Sequence, residues 1–327
     1  MRYPLSPISF IFSLFPLSAY AQALCNGHAE LCSRQYSNIT QIGTHDSAFV
    51  GTMPTDNQEV NITAQLDAGI RFLQAQSHLD GSGSLNLCHT TCMEKDAGPL
   101  SDYLTDLKIW LDANPNEVVT LLLTNGDNVN ISLFDTAFTI SNLNKYTYTP
   151  PTSPLGLSAW PTLNELIGNN TRLIAFLDTG AAPSVHYILD EFTYFFETPF
   201  DVTDPKFAEC TLDRPKGATA DGRMYIVNHF LDLSIGSVDI PDDSADDTTN
   251  AATGVGSIGA QVGICEGLYG RAPVGVLVDN FDRGNVFAAQ DALNGLGGPI
   301  KGGGGGGDDG GVGGVISKGI NDLKDVF

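Results

Sequence analysis

The stretch Ile42-Gly43-Thr44-His45-Asp46-Ser47 decides how the rest of the chain is interpreted. The apolar residues that lead into it predict a β-strand over residues 39–43. His45 and Asp46 follow where that strand ends. A second histidine, His89, closes another short predicted strand over residues 85–89. Two imidazoles at strand ends are suited to acid–base catalysis, because one can accept a proton while the other donates one.

Predicted strands alternate with predicted helices along most of the chain. Apolar, β-branched runs predict strands at residues 39–43, 70–76, 85–89, 118–124, 173–178, 194–197, 224–229 and 274–279. Apolar residues at helical spacing predict helices at residues 62–68, 99–114, 132–143, 184–192, 258–269 and 285–296. Such alternation is typical of a parallel sheet covered by helices, and eight strands in one α/β domain predict a barrel of the TIM type.

Polar residues at the strand ends support that prediction, because TIM barrels carry their chemistry on the loops that follow the strands. The residues at or just past predicted strand ends are His45, Asp46, Gln76, His89, Asn125, Asp178, Asn228 and Asp279. For Asn125 and Asn228, an ordinary polar strand end explains the residue at least as well as a functional role.

The first residues have the pattern of a secretory signal peptide, with a cationic start, an apolar run and Ala19-Tyr20-Ala21 as a cleavage site. We predict a signal peptide over residues 1–21, one domain over residues 22–296, and a flexible Gly-rich tail over residues 297–327. The protein is therefore expected to be secreted.

Six cysteines agree with an oxidising destination. Proximity along the chain predicts the pairs Cys25–Cys32, Cys88–Cys92 and Cys210–Cys265. A zinc site built on Cys88, His89 and Cys92 is the alternative, although no second close pair of cysteines completes four ligands. Exposed sites for N-glycosylation are predicted at Asn38, Asn61, Asn130 and Asn169.

The formal net charge of −22 limits the classes of partner. A chain this acidic repels nucleic acid and anionic bilayers, so we expect neither as a tight partner. No internal apolar run is long enough for a transmembrane segment. We expect a monomer.

Three stretches resemble the X-region of phosphatidylinositol-specific phospholipase C, and more narrowly the secreted phospholipase-C-like phosphodiesterases. They are residues 43–47 (GTHDS), 65–73 (QLDAGIRFL) and 87–89 (LCH). Residues 112–119, 225–230 and 276–281 are similar too, and the resemblance spans roughly residues 25–296. It implies an irregular TIM-type (β/α)8 barrel in a single domain, and a phosphodiester such as an inositol phospholipid, or its deacylated derivative, as substrate.

The resemblance also implies four catalytic roles. His45 matches the general base, which takes a proton from a substrate hydroxyl beside the phosphorus so that a cyclic phosphodiester forms. His89 matches the general acid for the leaving oxygen. Asp279 matches the carboxylate that orients the base, and Asp46 matches the carboxylate beside the first histidine. These roles are chemically sensible, because a carboxylate beside an imidazole fixes its tautomer and stabilises its protonated form.

One departure from the family concerns the second strand. Metal-dependent relatives carry two acids there, and metal-free bacterial enzymes carry an acid and an arginine, whereas this chain has Gln74 and Gln76. Strand alternation places these glutamines and His78 on one face, and Arg71 on the other, beneath the barrel. We predict that Gln74, Gln76, His78 and Asp178 contact substrate, that protonated His78 partly replaces the missing charge, and that no metal or other cofactor is needed.

Three alternatives to a metal-independent phosphodiesterase remain open. The first is a barrel with weakened catalysis that binds a phospho-sugar or a cell-surface glycan. The second is a metal-dependent phosphodiesterase resembling sphingomyelinase D, which would need acids that the second strand lacks. The third concerns the acidic run at residues 239–247, which offers oxygen ligands for calcium but matches no EF-hand and is more typical of a solvated loop.

Overall fold

A computed structural model of the protein describes residues 23–236 and 238–296. The predicted signal peptide and the predicted Gly-rich tail lie outside these residues. Within the described ranges, no helix combines the length and the apolar character that crossing a bilayer would require.

Twelve strands are described, and they form one large sheet and one small hairpin. In chain order they are β1 Gln41–Thr44, β2 Phe72–Leu79, β3 Leu85–His89, β4 Lys95–Pro99, β5 Val119–Asn125, β6 Leu173–Leu177, β7 Ile188–Asp190, β8 Phe195–Glu197, β9 Met224–Asn228, β10 Asp232–Ile235, β11 Val238–Pro241 and β12 Gly275–Val278. Eight of them pair in parallel in the order β7-β6-β5-β2-β1-β12-β9-β8. This curled, eight-stranded parallel sheet with helices around it confirms the predicted TIM-type fold.

The described α-helices are α1 Ile62–Ala68, α2 Leu100–Ala113, α3 Ile131–Ile140, α4 Leu163–Gly168, α5 Glu191–Tyr194, α6 Asp246–Thr249, α7 Ile258–Tyr269 and α8 Val286–Leu293. The prediction identified α1, α2, α3, α7 and α8 within three residues at each end. It missed α4, although Thr162 and Glu165 form a capping box there, in which each side chain accepts a hydrogen bond from the other residue's backbone N–H.

Two predictions about the barrel strands were wrong. Residues 85–89 do form a strand, β3, but it runs antiparallel to β2 and lies outside the parallel set. The barrel strand that takes its place is β7, within residues 184–192, where we predicted a helix. Val185, Ile188 and Leu189 are all buried, and Ile188 and Leu189 follow Val185 by three and four residues. This spacing of buried apolar residues is typical of a helix. The structure instead has a helical turn at residues 183–185 followed by the three-residue strand β7.

The barrel is irregular because its two edge strands, β7 and β8, are joined only by the single turn of α5. Among the described strands, β7 pairs only with β6, and β8 pairs only with β9. The parallel sheet is therefore curled without hydrogen bonds between its edges. Glu191, which follows β7, and Glu197, the last residue of β8, lie beside this opening at the carboxyl ends of the strands.

The barrel interior is filled by large apolar side chains from alternate strand positions. Phe72 is fully buried and packs with Leu122, Phe176, Ile226 and Leu277. A Cβ at Gly43 would lie 2.8 Å from the Cβ of Phe72. A Cβ at Gly275 would lie 2.5 Å from the Phe72 ring. Glycine at these two positions of β1 and β12 therefore makes room for the phenylalanine.

The predicted disulfides Cys25–Cys32, Cys88–Cys92 and Cys210–Cys265 are all formed. The bridge between Cys88 and Cys92 rules out the alternative zinc site, because its thiolates are consumed. Arg71 lies on the lower side of the barrel as predicted, where its Nε is 2.9 Å from Glu117 Oε2 and its guanidinium covers the Trp110 ring.

Candidate active site

The first half of the candidate site is built by two neighbouring barrel strands. Thr44 of β1 pairs with Val278 of β12, so the residues that follow them, His45 and Asp279, lie side by side. His45 Nδ1 is 2.9 Å from Asp279 Oδ1. Asn57 Nδ2 donates to both oxygens of Asp279 at 3.2 Å, which fixes the carboxylate.

The ring of His45 is also held from its face. Phe230 stacks on it with ring centroids 3.7 Å apart and an angle of 2° between the planes. The backbone N–H of His45 donates to the carbonyl of Val278 at 3.0 Å, which continues the strand pairing. His45 is thus fixed by a carboxylate on one edge and an aromatic ring on one face, while Nε2 points away from Asp279.

Asp46 lies between the two histidines. Its Oδ2 is 3.5 Å from His45 Nε2 and 3.7 Å from His89 Nε2, and it accepts a hydrogen bond of 2.7 Å from Gln76 Nε2. The residue has φ of 45°, a left-handed conformation that aspartate tolerates better than most residues. Its side chain is fully buried, and Oδ1 has no hydrogen-bond partner among the described residues.

The second half of the site is a hairpin outside the parallel set. β2 extends past its neighbours, and β3 returns antiparallel beside it, which brings His89 back to the level of the barrel mouth. The Cys88–Cys92 disulfide closes the short loop that contains His89. The edge of the His89 ring meets Phe49 with centroids 5.3 Å apart.

Gln76 connects the two halves. Its Nε2 donates to Asp46, and its Oε1 accepts from the backbone N–H of Thr90 at 3.1 Å. Gln74 contacts only the first half of the site, where its Oε1 accepts a hydrogen bond of 2.7 Å from the backbone N–H of Asp46. Both glutamines line the cavity, and both are engaged with Asp46.

The carboxylates around His45 control its protonation. Burial alone would lower the pKa of the imidazole, but the negative charges of Asp46 and Asp279 outweigh burial and raise the pKa to about 9. Burial also raises the pKa of Asp46, against the two histidines, which lower it. In the free protein at neutral pH, His45 therefore holds a proton, and it becomes a base as the pH rises toward 9.

These residues open into a cavity of about 480 Å³ at the carboxyl ends of the strands. Seven of the eight predicted site residues line it, and Asp279 lies behind His45. His78 Nδ1 is within hydrogen-bond distance of Asp127 Oδ1, at 3.3 Å. Asp178 accepts a hydrogen bond of 2.8 Å from the backbone N–H of Asn125.

The opposite wall of the cavity carries a cluster whose charged members the sequence analysis did not name. Arg214 donates through Nε to Glu197 Oε2 at 3.0 Å, and Asn228 Nδ2 donates to the same oxygen at 2.9 Å. Glu191 is fully buried beside Glu197. Burial raises the pKa of Glu191 well above its usual value. Burial also acts to raise the pKa of Glu197, but the charge of Arg214 and the hydrogen bonds with Glu191, Asn228 and Arg214 together lower it. Of the two carboxyl groups, Glu191 is therefore the one that holds a proton more readily.

The sequence analysis missed several residues of this site, for different reasons. Glu197 ends a predicted strand, and Phe230 belongs to a stretch that carried the family resemblance, so both had a signal. Asn57 and Arg214 lie in long loops without periodicity. Arg214 reaches the site because the loop after β8 returns and its backbone bridges to Glu197.

Comparisons with known proteins identify the family of this chain. The PI-PLC X family model matches residues 31–294. A PI-PLC X domain-containing protein 1 from Arthroderma benhamiae is 49% identical over 275 residues, which cover 84% of this chain and 90% of the relative. A protein of the same organism named as an uncharacterized secreted protein is 43% identical, over 80% of this chain and 61% of its own length.

The fold resembles solved structures as well. A phosphatidylinositol-specific phospholipase C from Staphylococcus aureus superposes with a TM-score of 0.56 at 13% identity, over 81% of this chain and 95% of that protein. At such low identity the likeness concerns the fold alone. Because the family model spans nearly the whole barrel and a relative is nearly half identical over most of its length, this chain belongs to the PI-PLC X family.

Proposed function

We propose that the protein is a phosphoric diester hydrolase that cleaves a phosphodiester beside a free hydroxyl. The observation that carries the proposal is the position of Asp46 Oδ2, within 4 Å of Nε2 of both His45 and His89. Two imidazoles that face one carboxylate at the rim of a cavity form an acid–base pair with a shared counter-charge. An inositol phospholipid, or its deacylated derivative, is the substrate class that family membership favours.

In the proposed reaction, His45 acts through Nε2 as the general base. It accepts the proton of the substrate hydroxyl while that oxygen forms a bond to phosphorus. The bond from phosphorus to the leaving oxygen breaks, and His89 gives that oxygen its proton. The products are a cyclic phosphodiester and an alcohol. Asp279 holds Nδ1 of His45 and stabilises the imidazolium that forms.

We propose that the reaction needs no metal ion, because the donor set fits one poorly. The β2 positions that face the cavity carry neutral amides, which bind calcium less well than carboxylates. Asp46 lies between two imidazoles and accepts from Gln76. Among the lysine and arginine side chains of the described residues, only Arg214 lines the cavity, so it supports the bound head group and its phosphate with positive charge.

We also propose that the mature protein is secreted and acts as a monomer. Three disulfides and a relative named as a secreted protein support the first part. The net charge of −22 supports the second, because like charges oppose self-association.

A second candidate function is binding of a phospho-sugar or a glycan without turnover. It is favoured by one observation, the neutral Gln76 at the position where metal-free relatives carry an arginine. One experiment distinguishes the two candidate functions. Purified protein is incubated with a panel of phosphodiesters, with and without EDTA, and the products are followed by phosphorus NMR. A cyclic product that is insensitive to EDTA supports the metal-independent hydrolase. Tight binding with no product supports the second candidate, and calcium-dependent turnover contradicts both.

A further inference from the structure

One ion pair lies beside the candidate active site without lining its cavity. Lys95 Nζ is 2.5 Å from Asp56 Oδ1, and it also donates to the carbonyl of Val50 at 3.1 Å. Lys95 belongs to β4, the strand that pairs with β3 and completes the hairpin that carries His89. Asp56 belongs to the loop between β1 and α1. The ion pair therefore joins the hairpin to that loop.

The carboxylate of Asp56 occupies a buried position that is shaped for it. Its side chain is only 2% exposed, and its Oδ2 accepts from the backbone N–H of Met53 at 2.8 Å. A Cβ at Gly51 would lie 2.2 Å from the same oxygen, so glycine there makes room for the carboxylate. A buried carboxylate that loses its counter-charge is strongly destabilised, whereas an exposed ion pair contributes little. Asp56 therefore holds Lys95 firmly.

Lys95 binds this distant carboxylate although two acids lie nearer in sequence. Glu94 and Asp96 flank it, but neighbouring residues of a strand direct their side chains to opposite faces. Asp96 accepts from Asn86 Nδ2 at 3.1 Å within the hairpin. Lys95 is the only lysine or arginine in residues 72–107. The hairpin therefore carries one permanent cation, and that cation is bound to the loop.

The register of the hairpin connects Lys95 to His89. The two residues stand opposite each other in the antiparallel pair of β3 and β4, so their side chains lie on the same face. The loop packs Phe49 against the His89 ring. The same loop is fixed at His45, whose carbonyl accepts from Gln58 Nε2 at 2.8 Å. Anchoring the hairpin at Lys95 therefore sets the position of His89 relative to His45.

We propose that Lys95 is a positioning residue for His89, the proposed general acid, and that it acts through its ion pair with Asp56. This inference rests on the proposed function and deepens it. Without the pair, the hairpin keeps the Cys88–Cys92 bridge but loses its charged attachment to the loop. The imidazole of His89 then no longer stays beside the leaving oxygen, so protonation of that oxygen becomes slower.

The test uses two substrates that differ only in the leaving group, the methyl and the 4-nitrophenyl phosphodiesters of inositol, each with a free hydroxyl beside the phosphate. Nitrophenolate leaves without a proton, whereas methoxide needs one from the general acid. Lys95→Met should therefore lower kcat about tenfold for the methyl ester and less than about threefold for the nitrophenyl ester, with KM little changed. His89→Ala should show the same selectivity more strongly, and Lys95→Arg should restore most of the rate.

Two further variants separate positioning from stability. Lys95→Met combined with Asp56→Asn leaves no unpaired charge and keeps an acceptor for the N–H of Met53, so it should fold even if the single variant does not. It should show the same selectivity between the two esters. Lys108→Met is the matched control, because it breaks an ion pair of the same length, with Asp112 on α2. It should leave both rates unchanged.

Hydrogen exchange tests the anchor without any turnover. The N–H of Thr90 donates to Gln76 beside the hairpin, and the N–H of Asp46 donates to Gln74 on the barrel side. In the double variant, the N–H of Thr90 should exchange about tenfold faster and that of Asp46 at an unchanged rate, because only the hairpin opens more often.

Three outcomes would overturn the proposal. They are an equal loss of rate for the two esters, a loss of the same size in Lys108→Met, and unchanged exchange at Thr90 in the double variant. If the protein cleaves neither ester, the proposed function fails, and exchange at Thr90 alone decides whether Lys95 holds the hairpin in place.

Discussion

The two histidines of the site are held by different kinds of structure. His45 follows a barrel strand, and its partner Asp279 follows the strand hydrogen-bonded to it, so their contact is a property of the parallel sheet. His89 stands on a hairpin outside the parallel strands and is held by the Cys88–Cys92 bridge, by Phe49 and by the bond from Thr90 to Gln76. His45, the proposed base, is thus positioned by the global fold, and His89, the proposed acid, by local restraints.

This difference means that the two halves can be disturbed separately. Changes at the hairpin should weaken proton donation and leave the base and its pH dependence intact. Changes at Asp279 should alter the pH dependence of the base and leave the hairpin intact. Only Asp46 and Gln76 belong to both halves.

The largest effect is expected from removing either imidazole. His45→Ala and His89→Ala should each lower the rate of phosphodiester cleavage by about 10²–10⁴. Both side chains are partly exposed at the cavity, so the melting temperature should change little. His186→Ala, at an exposed histidine outside this cavity, is the control. Full turnover in both variants would remove the proposed mechanism.

The next largest effect is expected at the first half of the site, which contains His45 and Asp279. In the unaltered protein, kcat/KM should rise with pH through about 9, because only the neutral form of His45 accepts a proton. Asp279→Asn removes one of the charges that raise this pKa, so the rising limb should move to lower pH. The maximal rate should fall by roughly 10–100-fold, since a neutral amide stabilises the imidazolium less than a carboxylate does. A pH–rate profile that keeps its position in the variant would contradict this assignment.

Gln76→Leu should disturb the connection between the halves. The change removes both the bond to Asp46 and the acceptor for the Thr90 N–H, so kcat should fall by about tenfold while KM changes little. Gln76→Glu keeps the acceptor for Thr90 but places a second negative charge beside Asp46. It should therefore raise the pKa of Asp46 and reshape the pH–rate profile, an effect that a purely structural role would not produce. Unchanged kinetics in both variants would mean that Gln76 positions neither Asp46 nor the loop at Thr90.

The smallest effect is expected from the hairpin bridge. Replacing Cys88 and Cys92 together by serine opens a loop with a sequence separation of 4 residues. The free energy of unfolding should fall by about 2 kcal/mol or less, because so short a loop gains little entropy when opened. Turnover should drop a few-fold as His89 becomes mobile, and the pH limb near 9 should stay in place. A shift of that limb would show that the two halves are not separable.

The sequence predicted that His45 and Asp279 lie at the same end of the barrel, and the reason is physical. His45 and Asp279 directly follow apolar strands, and the carboxyl ends of parallel strands meet at one edge of a barrel. His89 lines the same cavity although its strand runs the other way, because an antiparallel return from an extended β2 brings a strand end to the same place. Periodicity alone does not distinguish these two topologies.

Other parts of the site were beyond sequence reasoning. Arg214 reaches the cavity from a long loop whose path depends on tertiary contacts, so no local pattern marks it. β7 was mistaken for a helix because it has only three residues and is preceded by a helical turn. The glutamines were recognised as the departure from the family, but their bonds to Asp46 and Thr90 follow from register and left-handed backbone, which a sequence does not display.

The order of the disulfides has a consequence for how the chain matures. Each bridge joins two cysteines that are consecutive among the six, so no bridge encloses or crosses another. If the chain is oxidised while it emerges with its amino terminus first, both cysteines of one native pair are available before the cysteines of the next pair appear. A fully reduced chain released all at once faces about fifteen possible pairings instead. Mass spectrometry of alkylated intermediates should find native bridges only in the first case, and mispaired species in the second.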